Sequence, residues 1–292
     1  MKPLFVAEVS SNHNQNLARC FDFIDKATEI GCGAVKFQLF RIEELFAPEI
    51  LNKSEEHRKR KQWELPVEFL DPIAKRCKGQ NIQFACTPFY LTAVKELLPY
   101  VDFYKIASYE ILWKDLLVAC ARTGKPVVIS TGMATLEEID GALETLIAEG
   151  CRDLTVLHCV SGYPTPVNEC NLAAIETLRN AISHELSAMR LHFGWSDHSV
   201  QPAVIYRAIH HWNASIIEFH LDLDATGDEF KTGHCWLPDQ IRPVIEAVQT
   251  AFEADGSGEK MPAPTELSDK DWRADPIDGL RPLKSFRKNF GG

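Results

Sequence analysis

The stretch AVKFQLF at residues 34–40 is an apolar run interrupted by two polar residues, Lys36 and Gln38. Such a run is typical of a strand that is covered on both faces, as in a parallel sheet. Because side chains alternate along a strand, Phe37 and its apolar neighbours would pack on helices, while Lys36 and Gln38 would share the opposite, inner face. A buried lysine needs an anionic partner. This strand therefore predicts a parallel sheet and a polar site on it.

Similar runs alternate with stretches of helical spacing along the rest of the chain. Eight parallel strands with intervening helices favour a closed (β/α)8 TIM barrel of the α/β class. A barrel of roughly 250 residues would use most of the 292-residue chain, so we expect residues 1–255 to form this single domain. The predicted strands are Leu4–Ser10, Ala34–Phe40, Ile82–Cys86, Phe103–Ala107, Val127–Ser130, Leu154–Cys159, Leu191–Trp195 and Ser215–Leu221.

Two segments fall outside the alternation. Residues 41–65 include the charged stretch KSEEHRKRKQWE, and we expect a long loop over the top of the barrel there. Residues 256–292 are rich in Gly, Pro and Asp, and we expect a C-terminal extension that wraps the barrel. Within it, Arg281 or Lys284 is a candidate anion contact.

The composition excludes several classes of protein. A net charge of -10 and a pI near 5.5 argue against nucleic acid as a partner, because such proteins need a basic face. The sequence has neither a transmembrane run nor a signal peptide, so we expect a cytoplasmic protein with no membrane contact. Nine cysteines without a C-x-x-C pair indicate reduced, mostly buried thiols.

Further polar residues lie where barrel enzymes place their chemistry, at the carboxyl ends of the strands. Because every second side chain of a strand points to the same face, the inner face is predicted to include Glu8, Glu218, His220 and Asp222. A polar network that closes on itself is the alternative interpretation for any single one of them. The following loops carry hydroxyl, carboxyl and imidazole groups, including Thr87, Ser108, Glu110, Ser130, Ser161, Tyr163, Ser196 and His198.

The histidines admit two interpretations. His198 and His220 follow neighbouring strands and would share a divalent ion with a nearby carboxylate, although two histidines alone are a weak signal. The remaining candidates are interpreted as core or surface residues, namely His57, His158, His210 and His211.

Over residues 4–250 the chain resembles the catalytic domain of the sialic acid (N-acetylneuraminate) synthase family. The matching segments occur in family order, which makes coincidence improbable. They are AEVSSNHN, GAVKFQLF, FACTPF, FYKIASYEI, KPVVISTGMAT, LTVLHCVSGYPTP, FGWSDHS and IIEFHLDLD.

The resemblance implies a transferase that condenses phosphoenolpyruvate with an amino-sugar aldehyde, N-acetylmannosamine or a relative, to give a nonulosonic acid. A divalent ion would be held by His198 and His220, usually Mn2+, with Mg2+ or Co2+ as alternatives. The carboxylate and phosphate of phosphoenolpyruvate would be held by Lys36, Thr87, Lys105, Ser108, Ser130, Ser161 and Ser196. The sugar would be handled by Glu8, Gln38, Glu110, Tyr163 and Glu218, with Asp228 or Glu229 as a further carboxylate.

The chemistry fits these residue types. An ion polarises the sugar aldehyde, and carbon 3 of phosphoenolpyruvate attacks it. Carboxylates stabilise the positive charge left at carbon 2, where a water activated by the ion or by Glu110 adds before phosphate leaves. We assign acid-base work to Glu110 and Glu218, with Glu8 as a third catalytic candidate.

Departures from the family pattern concern the sugar side. Ser10 and Gln15 stand where the entry motif carries glycines, so we expect a different backbone path there. After the last strand the chain reads FKTGHCWLP in place of the usual His-Lys-x-Ser-Leu-like stretch. The sequence ends at Gly292, so we expect the family's antifreeze-like domain to be absent and residues 41–65 and the C-terminal extension to grip the sugar. Legionaminate and pseudaminate precursors are alternative acceptors, and a homodimer is the candidate assembly.

Two rival functions stay open. In a Schiff-base keto-acid aldolase or lyase, Lys105 or Lys36 would attack a keto acid, and borohydride trapping would reveal it. A non-catalytic sugar-binding barrel would regulate a glycan pathway, but it leaves the set of anion and metal residues without a role.

Overall fold

The computed structural model describes residues 2–182 and 190–290. The chain divides into two compact units, and the boundary between them along the sequence follows Thr250. The first unit is a closed parallel (β/α)8 barrel, which confirms the predicted fold. All eight predicted strands are present, with ends within two residues of those predicted. They are β1 (Leu4–Glu8), β2 (Ala34–Leu39), β3 (Gln83–Pro88), β4 (Phe103–Ile106), β5 (Val127–Ser130), β6 (Asp153–Cys159), β7 (Arg190–Asp197) and β8 (Ile216–Leu221).

The barrel closes because β1 pairs with both β2 and β8. Glu8 lies opposite Lys36 of β2 on one side and His220 of β8 on the other. A short additional strand, β9 (Cys235–Trp236), pairs with β8 outside the ring and was not predicted from the sequence. It brings Cys235 opposite His220.

Helices alternate with the strands along the first unit, and one short helix lies in the second. Local signals set their ends: the Asn16 side chain accepts from the backbone N–H of Arg19 at the start of the first helix, and Thr135 with Glu138 forms a capping box at the start of α8. The helices are α1 (Leu17–Glu29), α2 (Ile42–Leu45), α3 (Pro48–Lys53), α4 (Glu55–Lys59), α5 (Leu70–Gln80), α6 (Leu91–Leu97), α7 (Lys114–Ala121), α8 (Leu136–Ala148), α9 (Ala174–Ile182), α10 (Pro202–His210), α11 (Asp228–Thr232), α12 (Pro238–Ala254) and α13 (Lys284–Arg287).

The inside of the barrel has two levels. An apolar plug fills the lower level and consists of Val6, Ala34, Ala85, Phe103, Val128, Leu157 and Ile216, with Leu4 packed against it. Because side chains on one face recur every second residue, the residues two positions further along each strand form the next level. That upper level is polar and includes Glu8, Lys36, Thr87, Lys105, Ser130 and Glu218.

Residues 41–65 differ from the predicted loop, because they form the short helices α2, α3 and α4 and a 3-10 turn at Arg60–Trp63. Capping explains the difference. Pro48 begins α3, and the Ser54 side chain accepts from the His57 backbone at the start of α4.

The second unit, residues 251–290, contains α13 and an aromatic cluster of Trp272, Phe286 and Phe290. The Asp275 carboxylate accepts from the backbone N–H of Lys284 and thereby connects two segments of this second unit. All nine cysteines are buried and free of disulfides, as predicted. Among the described residues, no helix is long and apolar enough to cross a membrane.

Replacement of Gly194 by alanine should destabilise the barrel, because a Cβ there would clash with the Ile216 carbonyl oxygen and lie 2.6 Å from Leu157 Cδ2. We expect a loss of roughly 1 to 3 kcal/mol, the range for overpacked cores, measured by urea unfolding. Gly141→Ala is the control, since nothing lies within 4 Å of its Cβ position in α8. That change should stabilise by about 0.5 to 1 kcal/mol. Equal effects of the two substitutions would contradict the packing argument.

Candidate active site

A cavity of about 780 Å³ lies at the carboxyl ends of the barrel strands. Most of the site residues predicted from the sequence line it: Lys36, Gln38, Lys105, Ser108, Glu110, Ser130, Tyr163, Ser196, His198, Glu218 and His220. The other three lie directly behind this lining. Glu8 and Thr87 contact Lys36, and the Ser161 hydroxyl borders the position where a Cβ on Gly132 would stand.

Two buried lysines and two buried carboxylates form the floor of the cavity. Lys36 Nζ lies 2.5 Å from Glu8 Oε2 and 3.7 Å from Glu218 Oε1. Lys105 Nζ lies 3.5 Å from the same Glu218 oxygen. Since neighbouring strands fix all four residues, the charges are held in place before any ligand arrives.

The pKa values of these groups follow their neighbours. Burial alone would raise the pKa of Glu218, but Lys105 and Lys36 outweigh it and lower that pKa to about 2. Burial disfavours charged Lys36, yet Glu218 and Glu8 raise its pKa. Lys105 has one carboxylate within 4 Å in place of two, and burial lowers its pKa. The floor thus combines a firmly charged lysine with a second lysine that holds its proton less strongly.

Several polar atoms at or behind the cavity lining are buried without a hydrogen-bond partner. These atoms are Ser130 Oγ, Ser161 Oγ and Glu110 Oε2. Gly132 allows this crowding, because its backbone N–H donates to Ser108 Oγ and a Cβ would clash with the Ser161 hydroxyl. Buried polar groups are rarely left unpaired unless a ligand uses them. Hydroxyls beside lysines suit a phosphate or carboxylate.

Glu110 differs from the other carboxylates of the site. Burial raises its pKa to about 7, against the opposing effect of Lys105. A carboxyl group with such a pKa can exchange a proton near neutral pH. Glu110 is therefore suited to acid-base work, as the sequence predicted for it.

Three imidazoles gather on the opposite side of the cavity. The ring centroid of His220 lies 5.3 Å from that of His198 and 4.8 Å from that of His234. Tyr163 covers them, with its ring centroid 4.3 Å from His198. The ligand atoms of His220, Glu229, His234 and Cys235 lie within 4.8 Å of one another, so the described residues include a group that can hold a metal ion. The donor set fits a divalent transition metal.

Burial and neighbouring groups shift the pKa values of His234 and Glu229 in this cluster. Burial lowers the pKa of His234. Burial would raise the pKa of Glu229, but His220 and the hydrogen bonds to the carboxylate hold it well below the usual value. A neutral ring offers a lone pair, which metal binding requires.

A built loop delivers Glu229 and His234 to this cluster. Asp222 accepts from the backbone N–H of Gly227 at 3.1 Å and from Arg19 at 3.1 Å. Gly233 then ends α11 with φ of 93°, which turns the chain towards His234. The expectation that Asp222 points into the barrel site is therefore wrong, since it lies one residue beyond β8 and anchors this loop.

The two residues that replace glycines of the entry motif adopt a backbone conformation that glycine adopts readily, and the expected change of backbone path stays a prediction. Ser10 and Gln15 have φ of 49° and 50°, the left-handed region that favours glycine. Their side chains gain partners in return. The Ser10 hydroxyl donates to Glu229, and the Gln15 amide donates to the carbonyl oxygens of Lys61 and Glu64.

Residues 41–65 contribute one wall of the cavity, formed by Leu45, Phe46, His57, Arg60 and Trp63. The Arg60 guanidinium stands 5.5 Å from the Phe46 ring and 5.7 Å from the Trp63 ring. His57 packs edge-on against Phe46 and bonds the Ser54 hydroxyl, and it also lines the cavity, a position that its interpretation as a core or surface residue did not predict. His158 keeps its structural interpretation, because it bonds the Cys170 carbonyl and stacks on Trp195.

Sequence reasoning thus missed two kinds of cavity residue. His57 and Arg60 lie in a charged stretch whose pattern resembles a solvated surface. The sequence marked His234 only as a departure from the family pattern. The available signal was its position directly before Cys235 and Trp236, an apolar pair typical of a short strand.

Comparisons with known proteins identify the family of the chain. A model of the NeuB family matches residues 23–260. The chain is 34% identical over 269 residues to an uncharacterized protein of Methanocaldococcus jannaschii, covering 91% of this chain and 76% of the relative. It is 31% identical over 280 residues to the N,N'-diacetyllegionaminic acid synthase of Campylobacter jejuni, covering 91% and 81% of the two chains.

A solved structure is similar as well. The N-acetylneuraminic acid (sialic acid) synthetase of Leptospira borgpetersenii, in complex with citrate, superposes with a TM-score of 0.79 at 28% identity. The superposition covers 92% of this chain and 90% of that chain.

Replacement of Lys36 by methionine should destabilise the protein, because it leaves the Glu8 carboxylate buried without a countercharge. We expect a loss of about 3 to 5 kcal/mol in the free energy of unfolding, typical of a broken buried ion pair. Adding Glu8→Gln to this variant should recover part of the loss, which a double-mutant cycle in urea will measure. Strictly additive effects would show that the two side chains do not interact.

Proposed function

The chain belongs to the NeuB family, and from this membership we propose that it joins phosphoenolpyruvate to the open-chain aldehyde of an amino sugar. The products are a nonulosonic acid and phosphate. One observation carries the proposal, which is that β8 holds a residue of each group two positions apart. Glu218 contacts both buried lysines, and His220 belongs to the imidazole cluster. At about 3.3 Å per residue the two lie roughly 6.6 Å apart, so an anion and a polarised aldehyde would meet between them.

The anion end is the lysine and hydroxyl group of the floor. Lys36 and Lys105 supply fixed positive charge for the carboxylate and phosphate of phosphoenolpyruvate. The unpaired hydroxyls of Ser130 and Ser161 gain partners when the anion binds, which supports their role as donors. Thr87, Ser108 and Ser196 complete the set that the family resemblance assigns to this substrate.

The metal end is the imidazole cluster, where His198 and His220 are the proposed ligands of a divalent ion, Mn2+ by the family resemblance. A bound divalent ion polarises a carbonyl oxygen and makes its carbon more electrophilic. Around it the chain itself positions the acceptor: Tyr163 covers the rings, and Gln38 donates to Glu8 at 2.7 Å and so presents its carbonyl oxygen to the cavity side.

The bond changes require a base and a stabilised cation. Carbon 3 of phosphoenolpyruvate forms a bond to the aldehyde carbon, which leaves positive charge at carbon 2. Glu218, held ionised by two lysines, faces the region where this charge develops. Glu110 takes a proton from the water that adds at carbon 2 and returns it to the former aldehyde oxygen, which the attack has left as an alkoxide. The bond between carbon 2 and the phosphate oxygen then breaks with its electron pair leaving on phosphate, while the new hydroxyl on carbon 2 gives its proton to the departing phosphate and becomes the keto group.

The wall formed by residues 41–65 is the proposed acceptor side. Aromatic rings of Phe46 and Trp63 offer apolar surface for a sugar ring and its acyl group, and Arg60 Nε is buried without a partner. We propose an N-acylated amino sugar as acceptor: N-acetylmannosamine or a precursor of legionaminic or pseudaminic acid.

The deciding experiment is a phosphate-release assay with phosphoenolpyruvate, Mn2+ and a panel of these amino sugars. We expect release that depends on both the sugar and the ion. With an oxygen label at the bridging position of phosphoenolpyruvate, the label should leave with phosphate, because the carbon-oxygen bond breaks. Label retained in the keto acid would contradict the mechanism. Borohydride trapping of pyruvate on Lys105 or Lys36 would indicate a Schiff-base enzyme instead.

The pH dependence should report Glu110. If its ionised form is the base, kcat/KM should rise with pH through a limb near the pKa of about 7 that burial gives this carboxyl. Glu110→Gln should lower kcat/KM by about 100-fold or more and remove the limb. An unchanged limb in Glu110→Gln would assign it to another group, while Glu138→Gln, in the exposed capping box of α8, serves as the control.

A further inference from the structure

Glu229 divides its two carboxylate oxygens between two tasks. Oε1 accepts from the hydroxyls of Ser10 and Ser11, the latter at 2.9 Å. Oε2 faces two imidazoles: His220 Nδ1 at 2.8 Å and His234 Nε2 at 3.5 Å. One oxygen is thus held by the first loop of the barrel, and the other is aimed at a pair of ring nitrogens.

His234 is oriented in the same way. Its Nδ1 lies 2.7 Å from the Thr232 hydroxyl, so the ring is fixed through that nitrogen while Nε2 points at Glu229. A partner on one ring nitrogen that leaves the other free is the usual arrangement around a metal-binding histidine. His198 is also oriented through Nδ1, which lies 2.9 Å from the Val160 carbonyl oxygen, and it forms a further side-chain hydrogen bond with Cys159.

The spacing of the donor atoms suits a shared cation. Ligand atoms about 2.0 to 2.2 Å from an ion, at tetrahedral or octahedral angles, are separated by roughly 2.8 to 3.6 Å. The two distances at Glu229 Oε2, 2.8 Å and 3.5 Å, fall in this range. The Cys235 sulfur is 3.9 Å from the same oxygen and lies 3.8 Å from the Asn12 amide nitrogen.

The two histidines expected from the family resemblance, His198 and His220, are farther apart than His220 and His234. Ring centroids of His220 and His234 are 4.8 Å apart, against 5.3 Å for His198 and His220. Glu229 is largely buried, with its side chain 19% exposed, and no lysine or arginine of the described residues forms an ion pair with it. A divalent cation between the carboxylate and the imidazoles would supply a countercharge.

We propose that Glu229 and His234 are ligands of the divalent ion, and that they complete on the α11 side the metal site that His198 and His220 begin. The proposal rests on the proposed function for the role of the ion and reassigns Glu229 from the sugar to the metal. Oxygen and nitrogen donors fill the site, and the sulfur of Cys235 stays outside it. With four protein ligands, a six-coordinate ion such as Mn2+ keeps two positions for substrate oxygens.

Metal affinity, measured without substrate, tests the ligand set. Mn2+ is titrated into the full chain, and the free ion is followed by electron paramagnetic resonance. We expect His234→Ala and Glu229→Gln each to weaken Mn2+ binding at least about tenfold, the lower end of what lost metal-site interactions cost. His234→Asn repeats the test with a smaller change of volume, and thermal unfolding of the metal-free variants verifies that each is folded.

Matched controls keep the result specific. His57→Ala removes an imidazole that lines the same cavity but lies outside the cluster, and Cys235→Ser changes the residue next to His234. Both should bind Mn2+ within about threefold of the parent, well short of the loss of a ligand. Wild-type affinity in His234→Ala and Glu229→Gln would overturn the proposal and leave the ion to His198 and His220 alone.

Substitution of Co2+ for Mn2+ tests the alternative arrangement, in which the Cys235 sulfur is a ligand of the ion. The Co2+-loaded protein should lack a near-ultraviolet sulfur-to-cobalt charge-transfer band, and a band that disappears in Cys235→Ser would overturn the site proposed here. Failure of the proposed function is recognised separately: it would appear as normal Mn2+ binding without phosphate release from any amino sugar. Absence of Mn2+ binding in the parent protein would overturn the ligand assignment itself.

Discussion

Closure of β1 against β8 is the constraint on which the rest of the structure depends. Once the ring is closed, alternate side chains of all eight strands must fill one interior, and no strand can slip by one residue without exchanging its two faces. The lower level solves this with apolar side chains such as Val6 and Ile216. The same registers then force Glu8, Lys36 and Glu218 into one polar level, where they must neutralise one another.

The ion pairs of that level are better understood as preparation for a ligand than as a source of stability. Removing two charges from water costs more than a single ion pair returns unless further bonds satisfy them. Here Lys105 has one carboxylate contact at 3.5 Å, and the buried hydroxyls of Ser130 and Ser161 have no hydrogen-bond partner. Such incompleteness in an otherwise well-packed interior is expected where a substrate anion supplies the missing contacts.

Two insertions turn this general barrel end into a specific cavity. Residues 41–65 bring Arg60 and Trp63 over the floor, and the Gln15 side chain holds the segment by two backbone carbonyls. The loop between β8 and β9 brings Glu229 and His234 beside His220 and is anchored through Asp222 and Arg19. Both insertions contact the entry loop at positions where the family resemblance has glycine. The substitutions of Ser10 and Gln15 are thus coupled to the rest of the cavity.

The sequence by itself determined the strand order, the face of each strand residue and the local helix caps. The faces follow from side-chain periods of two residues in strands and 3.6 residues in helices, as Lys36 illustrates. The caps follow from two residues that are three positions apart, as Thr135 and Glu138 illustrate. The sequence also brought together most of the residues proposed to bind the anion, since parallel strands that end at one rim bring their ends together. Only the tertiary structure decided that Arg60, His57 and His234 face the cavity and that Asp222 does not. Their directions depend on how non-periodic segments fold back on the closed barrel, through contacts between residues as distant in sequence as Ser10 and Glu229, and no local period encodes such contacts.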